Sequence, residues 1–186
     1  MIFSTVVGDS VVALHKQYRA AGLDPEKMPM CSLTTSENEV AAMGGDAAAG
    51  HLTSAPYFMV HESSENEKFV SAYKKRWGSD KVTHFVSEPA YFGVGIFKQA
   101  LEKIGKAGDI NPTAIIEACK GQEIMAPQGK IKIDPENLHC YLWPKIGICK
   151  SNGQYDIIRK TDNWLKPVPY AAYPDQTCTE GGLKKV

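Results

Sequence analysis

The stretch Ile2-Phe-Ser-Thr-Val-Val-Gly-Asp-Ser10 decides how the chain is read. Ile2, Phe3, Val6 and Val7 are β-branched or aromatic, types that pack well on a pleated surface, so the run is predicted as a strand. Gly8 breaks it. Asp9 or Ser10 is then expected to cap a helix, because each carries a side-chain oxygen for the unpaired N–H groups of a first helical turn. The chain therefore opens strand, tight turn, helix. In open α/β sheets that corner stands at the carboxyl ends of the strands, where ligands bind. The helix end there offers N–H groups to a carbonyl or anionic oxygen. A core-type strand one residue after Met1 is what a stretch from inside a longer chain would show.

The same unit repeats outward. Val11, Leu14, Tyr18 and Ala21 lie at helical spacing, and Gly22 suits the helix end. Residues 29–34 read as a second strand. Ser36 with Glu39 three residues on is a capping box for a short helix ending at Gly44 and Gly45. Asp46 to Gly50 is a small-residue turn, or one helical turn. Residues 51–57 form a third strand, closed by Pro56. Ser63 or Ser64 caps a helix over 65–77, with Phe69, Tyr73 and Trp77 on one face. Strand–helix repeated three times calls for a parallel sheet covered by helices.

Beyond it, 83–87 is expected to be another short extended piece, and 89–106 a long, mostly buried helix. Its apolar stripe is Tyr91, Val94, Leu101 and Ile104, widened by Phe92, Ile96 and Phe97. Asn111-Pro112 is an N-cap with proline at the first helical position. From Gly121 the pattern changes. Lys130 to Asp134 alternates as a half-buried strand does, residues 139–150 form a longer strand interrupted at Pro144, and Ser151-Asn-Gly153 signals a hairpin into 154–159. The expected fold is α/β: a parallel sheet with flanking helices plus a β-rich antiparallel C-terminal segment. The proline-rich residues after Thr161 are expected to wrap the surface or fray.

Composition narrows the function classes. Lys and Arg number 21, as do Asp and Glu, so the net charge is zero, which disfavours a nucleic-acid partner because neither sign of field dominates. No apolar run is long enough to span a membrane. The five cysteines form no C-x-x-C pair, so zinc and thioredoxin-like chemistry are not expected. Cys140 and Cys149 flank a strand, and either a single bridge or buried free thiols fits them. The five histidines are scattered at no metal-ligand spacing. No G-x-S-x-G elbow is present, which leaves a hydrolase built on Ser10 without its geometry. Gly93-Val-Gly95 lies inside a helix pattern and reads as close packing, not as a phosphate loop.

What converges is a set of strand ends. Val7, Gly8 and Ser10 follow the first strand, and Thr34, Thr35 and Ser36 follow the second. Asp46 precedes the third, which Tyr57 ends. This rim carries hydroxyls, a carboxylate and an aromatic, a plausible clamp for a small polar ligand. The bland alternative is that the serines and aspartates are only caps.

Several motifs together carry a resemblance: STVVGDS from Ser4, AAGLDPEKMP from Ala20, SLTTSENE from Ser32, GDAAAGH from Gly45, APYF from Ala55, ENEKFVSAYK from Glu65 and EPAY from Glu88. APQGKIKIDPENLH from Ala126 and the IGI…GQYD hairpin from Ile146 extend it. The set resembles the urea and short-chain-amide branch of the type I periplasmic solute-binding proteins, relatives of the branched-chain amino-acid receptors of ABC transporters. The resemblance implies two α/β lobes closing on a small ligand, with ABC permease subunits as partners, no catalysis, no cofactor and no metal. It implies that the strand-end loops face the ligand. Val7, Gly8, Ser10, Thr34, Thr35 and Ser36 would lie in the cleft, with Asp46 accepting ligand N–H groups, Tyr57 covering the site, and Glu88 and Tyr91 beside the hinge.

By the same resemblance, 2–82 is part of the second ligand-binding lobe, 83–128 holds crossover helices that pack in the first lobe, 129–160 returns to the second, and 161–186 is a surface tail. The helix face in 83–128 would then want cover from the other lobe or a second copy of the chain. The expected location is periplasmic or extracytoplasmic, with a signal peptide upstream of this stretch. A cytoplasmic amide-sensing regulatory protein of the same fold is the alternative.

Overall fold

The computed structural model describes residues 1–169 and the strands at 176–179 and 182–185. The elements follow the expected alternation. β1 (Ile2–Ser4) leads to α1 (Asp9–Ala20), β2 (Met30–Ser32) to α2 (Glu37–Met43) and α3 (Gly45–Ala48), and β3 (Leu52–Ala55) to α4 (Ser64–Trp77). Then come α5 (Ser87–Ile104), α6 (Pro112–Cys119), β4 (Glu123–Ala126), β5 (Gly129–Ile133) and β6 (Cys140–Tyr141). β7 (Lys145–Cys149) and β8 (Tyr155–Lys160) form a hairpin across Ser151-Asn-Gly153, where Gly153 has φ +80°. β9 (Gln176–Thr179) and β10 (Gly182–Lys185) pair antiparallel. The expectation for the tail falls in part on residues outside those described, 170–175, 180–181 and 186.

The central sheet has the order β1-β2-β3-β7-β8. β1, β2 and β3 are parallel, and β7 and β8 add antiparallel. This is the expected α/β class, with the antiparallel segment joined to the parallel sheet. β4, β5 and β6 form a second, antiparallel sheet, so strands pair across residue 129. Each sheet has its own core. Val11, Val40, Met43, Phe58 and Tyr155 close the first, and Phe92 and Ile96 of α5 pack on Ala126, Ile131 and Ile133 in the second. Gly95 lets α5 approach β4, since a Cβ there would strike Ile124.

Most local punctuation forms as expected. Ser36 and Glu39 make the reciprocal capping box, Ser63 accepts from the Asn66 N–H, and Asn111 accepts from the Ala114 N–H ahead of Pro112. At the end of α1 the Gly22 N–H donates to Arg19 O and the Leu23 N–H to Tyr18 O, with Gly22 at φ +69°. That paired closure favours glycine because the left-handed conformation crowds a Cβ.

Other expectations are corrected. Neither Asp9 nor Ser10 caps α1. The N-cap is Gly8, at φ +64° with no side-chain cap bond, because the turn after β1 needs a positive φ there. Residues 83–87 are not extended. The His84 N–H donates to Ser87 Oγ, and Ser87 begins α5. α5 buries one face only: Tyr91, Val94 and Phe97 are exposed, as is Trp77 at the end of α4. For Cys140 and Cys149, which a bridge or free thiols would each fit, the free thiols hold, on strands of different sheets.

Candidate functional site

The candidate site is the carboxyl rim of β1, β2 and β3, and hydrogen bonds sew its loops together. Ser32, at the end of β2, accepts from the Thr34 and Thr35 N–H groups and from the Thr35 hydroxyl. This folds residues 34–36 back over the strand. Thr34 then donates its own hydroxyl to the Val6 carbonyl, joining the β2 loop to the β1 loop. The Met59 N–H donates to Glu37 Oε1 at 2.7 Å, joining the β3 loop to the start of α2. Lys145 of β7 donates to Pro56 O at 2.6 Å, extending the seam to the fourth strand.

The N-terminal turn of α1 opens into the same rim. Gly8 supplies no side chain, and nothing stands within 4 Å of where its Cβ would be. Val7 and Ser10 are exposed beside it. An uncapped helix start presents N–H groups and the positive end of the helix dipole. Next to the half-buried Thr34 hydroxyl, that end can hold a carbonyl or carboxylate oxygen while the hydroxyl contacts a neighbouring polar group.

Not all expected residues share the rim. Thr35 and Ser36 are buried, and their hydroxyls serve the Ser32 turn and the α2 cap. The Thr35 carbonyl accepts from Thr53 and Tyr155. Tyr57 does not cover the site. It is fully buried, with its hydroxyl bonded to Asn66 Oδ1 at 2.8 Å and Thr83 Oγ1 at 2.7 Å. Asp46 precedes β3, so it stands at the amino end of the parallel strands. There Gly45 fits against the Ser151 carbonyl of the β7–β8 turn. Asp46 is exposed, at the opposite end of the parallel strands from Thr34, which follows β2.

Glu37, Lys145 and the hinge candidate Glu88 are buried charged groups, and no local sequence pattern marks that burial. Glu37 is 1% exposed and its Oε2 has no hydrogen-bond partner. Burial pushes its carboxyl up to about 7. Glu88 is fully buried and accepts from the Gln128 N–H and Nε2 at 3.2 and 2.8 Å. Burial raises it to about 7 as well. Lys145, 3% exposed, is lowered to about 8 by desolvation. Glu37 and Glu39 look alike in the run 36–39, and the capping-box spacing identifies only Glu39. Among the described residues no cluster of His, Cys, Asp and Glu is placed to hold a metal ion, and no helix is long and apolar enough to cross a membrane.

The model of the periplasmic binding protein domain matches residues 1–176. The Leu/Ile/Val-binding protein homolog 6 of Brucella abortus is 36% identical over 105 residues, 56% of this chain and 26% of that protein. A Geobacillus stearothermophilus protein named limonene hydroxylase is 31% identical over 137 residues, 74% of this chain and 24% of that protein. Among solved structures, a solute-binding protein of an ABC transporter from Rhodopseudomonas palustris BisB5, in complex with 3,4-dihydroxybenzoic acid, superposes with a TM-score of 0.73 at 29% identity. The match covers 89% of this chain and 46% of that one. The chain thus spans about a quarter of the curated relatives' length and under half of the solved structure's.

Proposed function

Because the chain belongs to the periplasmic binding protein domain family, we propose that it is a ligand-binding portion of the solute receptor of an ABC transporter. It works outside the cytoplasm and delivers its ligand to permease subunits. The observation that carries this reading is the open start of α1, held by the Thr34–Val6 bond beside the loop that follows β2. A small polar ligand sets its carbonyl or carboxylate oxygen against the N–H groups of the α1 turn. Its own N–H groups reach the hydroxyl rim.

Urea, a short amide or an amino acid meets that description, in keeping with the motif set that begins at STVVGDS. The relatives' printed names point to Leu/Ile/Val and to an aromatic acid, both of which bring a carboxylate to the helix start. The reading includes no catalysis. Ser10 is exposed, and among the described hydrogen bonds none joins it to a histidine. The exposed face of α5, with Tyr91, Val94 and Phe97, is covered by the other lobe of the receptor or by a second copy of the chain.

Titration calorimetry with urea, acetamide and leucine up to millimolar concentration tests the reading. Saturable binding of one of them, weakened by Ser10→Pro in the first turn of α1, supports it. No heat from any of the three counts against it.

A further inference from the structure

The flank of the rim, away from α1, holds a second feature. At the ends of β7 and β8 a hollow of about 400 Å³ is lined by His61, Gln128, Trp143, Lys145, Lys160 and Thr161, among others. Lys145 and Lys160 are direct cross-strand partners there. Like charges facing each other across a strand pair are destabilising unless something of opposite sign lies between them. The β-bulge between Ile146 and Gly147 sits one residue further along β7, and bulges re-aim the side chains around them.

No carboxylate among the described residues stands at ion-pair distance from either lysine. Glu88, the buried acid that acts on Lys145 through space, spends its oxygens on Gln128. Asp162 also lines the hollow and is exposed. Lys145 donates two protons of its ammonium, to Pro56 O and Trp143 O, and a third remains. Thr161 Oγ1 is buried with no hydrogen-bond partner. His61, third of the basic groups, is held neutral, down at about 4, by burial and by the two lysines.

We propose that this hollow is an anion site that takes the carboxylate of a small organic acid between Lys145 and Lys160. The Thr161 hydroxyl donates to one carboxylate oxygen. The half-buried Trp143 indole, held by its bond to Lys130 O at 2.6 Å and backed by Gly129, where a Cβ would come within 3.1 Å of the ring, gives the organic part an apolar wall. That wall favours a carboxylate over inorganic phosphate. The site spans β7 and β8, two and three strands across the sheet from β2, roughly 10 to 14 Å at the usual strand spacing, so it is separate from the rim at Thr34. It does not depend on the receptor reading.

The test is a titration of the 186-residue chain with sodium benzoate, and separately with sodium phosphate, followed by amide chemical shifts at constant ionic strength. Saturable benzoate shifts at His61, Lys145, Lys160 and Thr161 are expected. Lys160→Met, on an exposed side chain that does not threaten folding, should weaken them about tenfold, and Thr34→Val should leave them unchanged. The His61 imidazole should also titrate at higher pH with benzoate bound. No saturable shift, equal affinity in Lys160→Met, loss in Thr34→Val instead, or binding of phosphate but not benzoate would each overturn the proposal.

Discussion

The hydroxyl of Thr34 donates to the main-chain carbonyl of Val6, twenty-eight residues earlier. This one bond closes the gap between the first two strand ends of a parallel sheet. It sets the open start of α1 beside the turn that Ser32 folds. A net hydrogen bond of this kind is worth about 1 kcal/mol. Thr34→Val keeps the shape and removes the donor. We expect it to lower the urea midpoint by an amount corresponding to about 1 kcal/mol and to weaken solute binding at the rim several-fold. Unchanged affinity in a folded variant would separate the rim from the ligand.

Ser36 tests the opposite assignment. Its hydroxyl belongs to the α2 cap and is buried. Ser36→Ala should cost about 1 kcal/mol in stability, as loss of an N-cap does, with ligand affinity unchanged at saturating folded fraction. A loss of affinity beyond the loss of stability would return Ser36 to the site.

The buried acids leave a pH signature. Glu37 and Glu88 are raised from 4.5 to about 7, so the folded chain keeps two protons that the unfolded chain releases. Their contribution to stability therefore falls as pH rises between 4.5 and 7. His51 and His61 are lowered from 6.5 to about 4, and their contribution rises with pH between 4 and 6.5. The two effects oppose each other between 4.5 and 6.5. Replacing both acids, Glu37→Gln with Glu88→Gln, uncovers the histidine slope. The double variant should gain on the order of 1 kcal/mol from pH 4.5 to 6.5, where the native chain stays flatter. Urea midpoints at the two pH values measure this, and parallel profiles would refute it.

Gly45 is fixed by proximity, since a Cβ there would strike the Ser151 carbonyl and come within 2.7 Å of the Gly153 N. Gly45→Ala should destabilise by about 1–3 kcal/mol through overpacking against backbone that cannot rotate away. Gly93→Ala in α5, with open space at its Cβ, should be neutral or stabilising, because glycine in a helix interior costs about 1 kcal/mol relative to alanine. Thermal midpoints of the two variants decide it.

The local rules carried most of the fold. Ser36 with Glu39, Ser63 and Asn111-Pro112 are caps that act within one turn, so the sequence alone exposes them. Gly8 was harder. The turn after β1 requires a positive φ, and that backbone demand displaced the side-chain cap expected of Asp9 or Ser10. The resemblance sets Asp46 among the ligand groups, although a residue preceding a parallel strand stands at the other end of the sheet. Tyr57 was expected to face the ligand, but its hydroxyl finds Asn66 and Thr83 inside. Glu37, Glu88 and Lys145 follow no local pattern that marks a charge for burial. Their partners, Met59, Gln128 and Pro56, lie 22, 40 and 89 residues away.

The exposed face of α5 gives a prediction about assembly. Tyr91, Val94 and Phe97 are 52%, 70% and 48% exposed, and Met125 of β4 adds to the patch. Contiguous apolar surface of this kind promotes association. Sedimentation of the chain alone should show concentration-dependent self-association, reduced by Val94→Lys. A monomer at all concentrations would leave that face to the other lobe.

The central claim is that a small polar solute binds at the start of α1 and the loop after β2. Amide chemical-shift mapping of the 186-residue chain with urea, acetamide and leucine at millimolar concentration tests it most directly. Saturable shifts at residues 7–11 and 33–37 are expected. Shifts confined to other parts of the chain, or no saturable shift with any of the three, would contradict it.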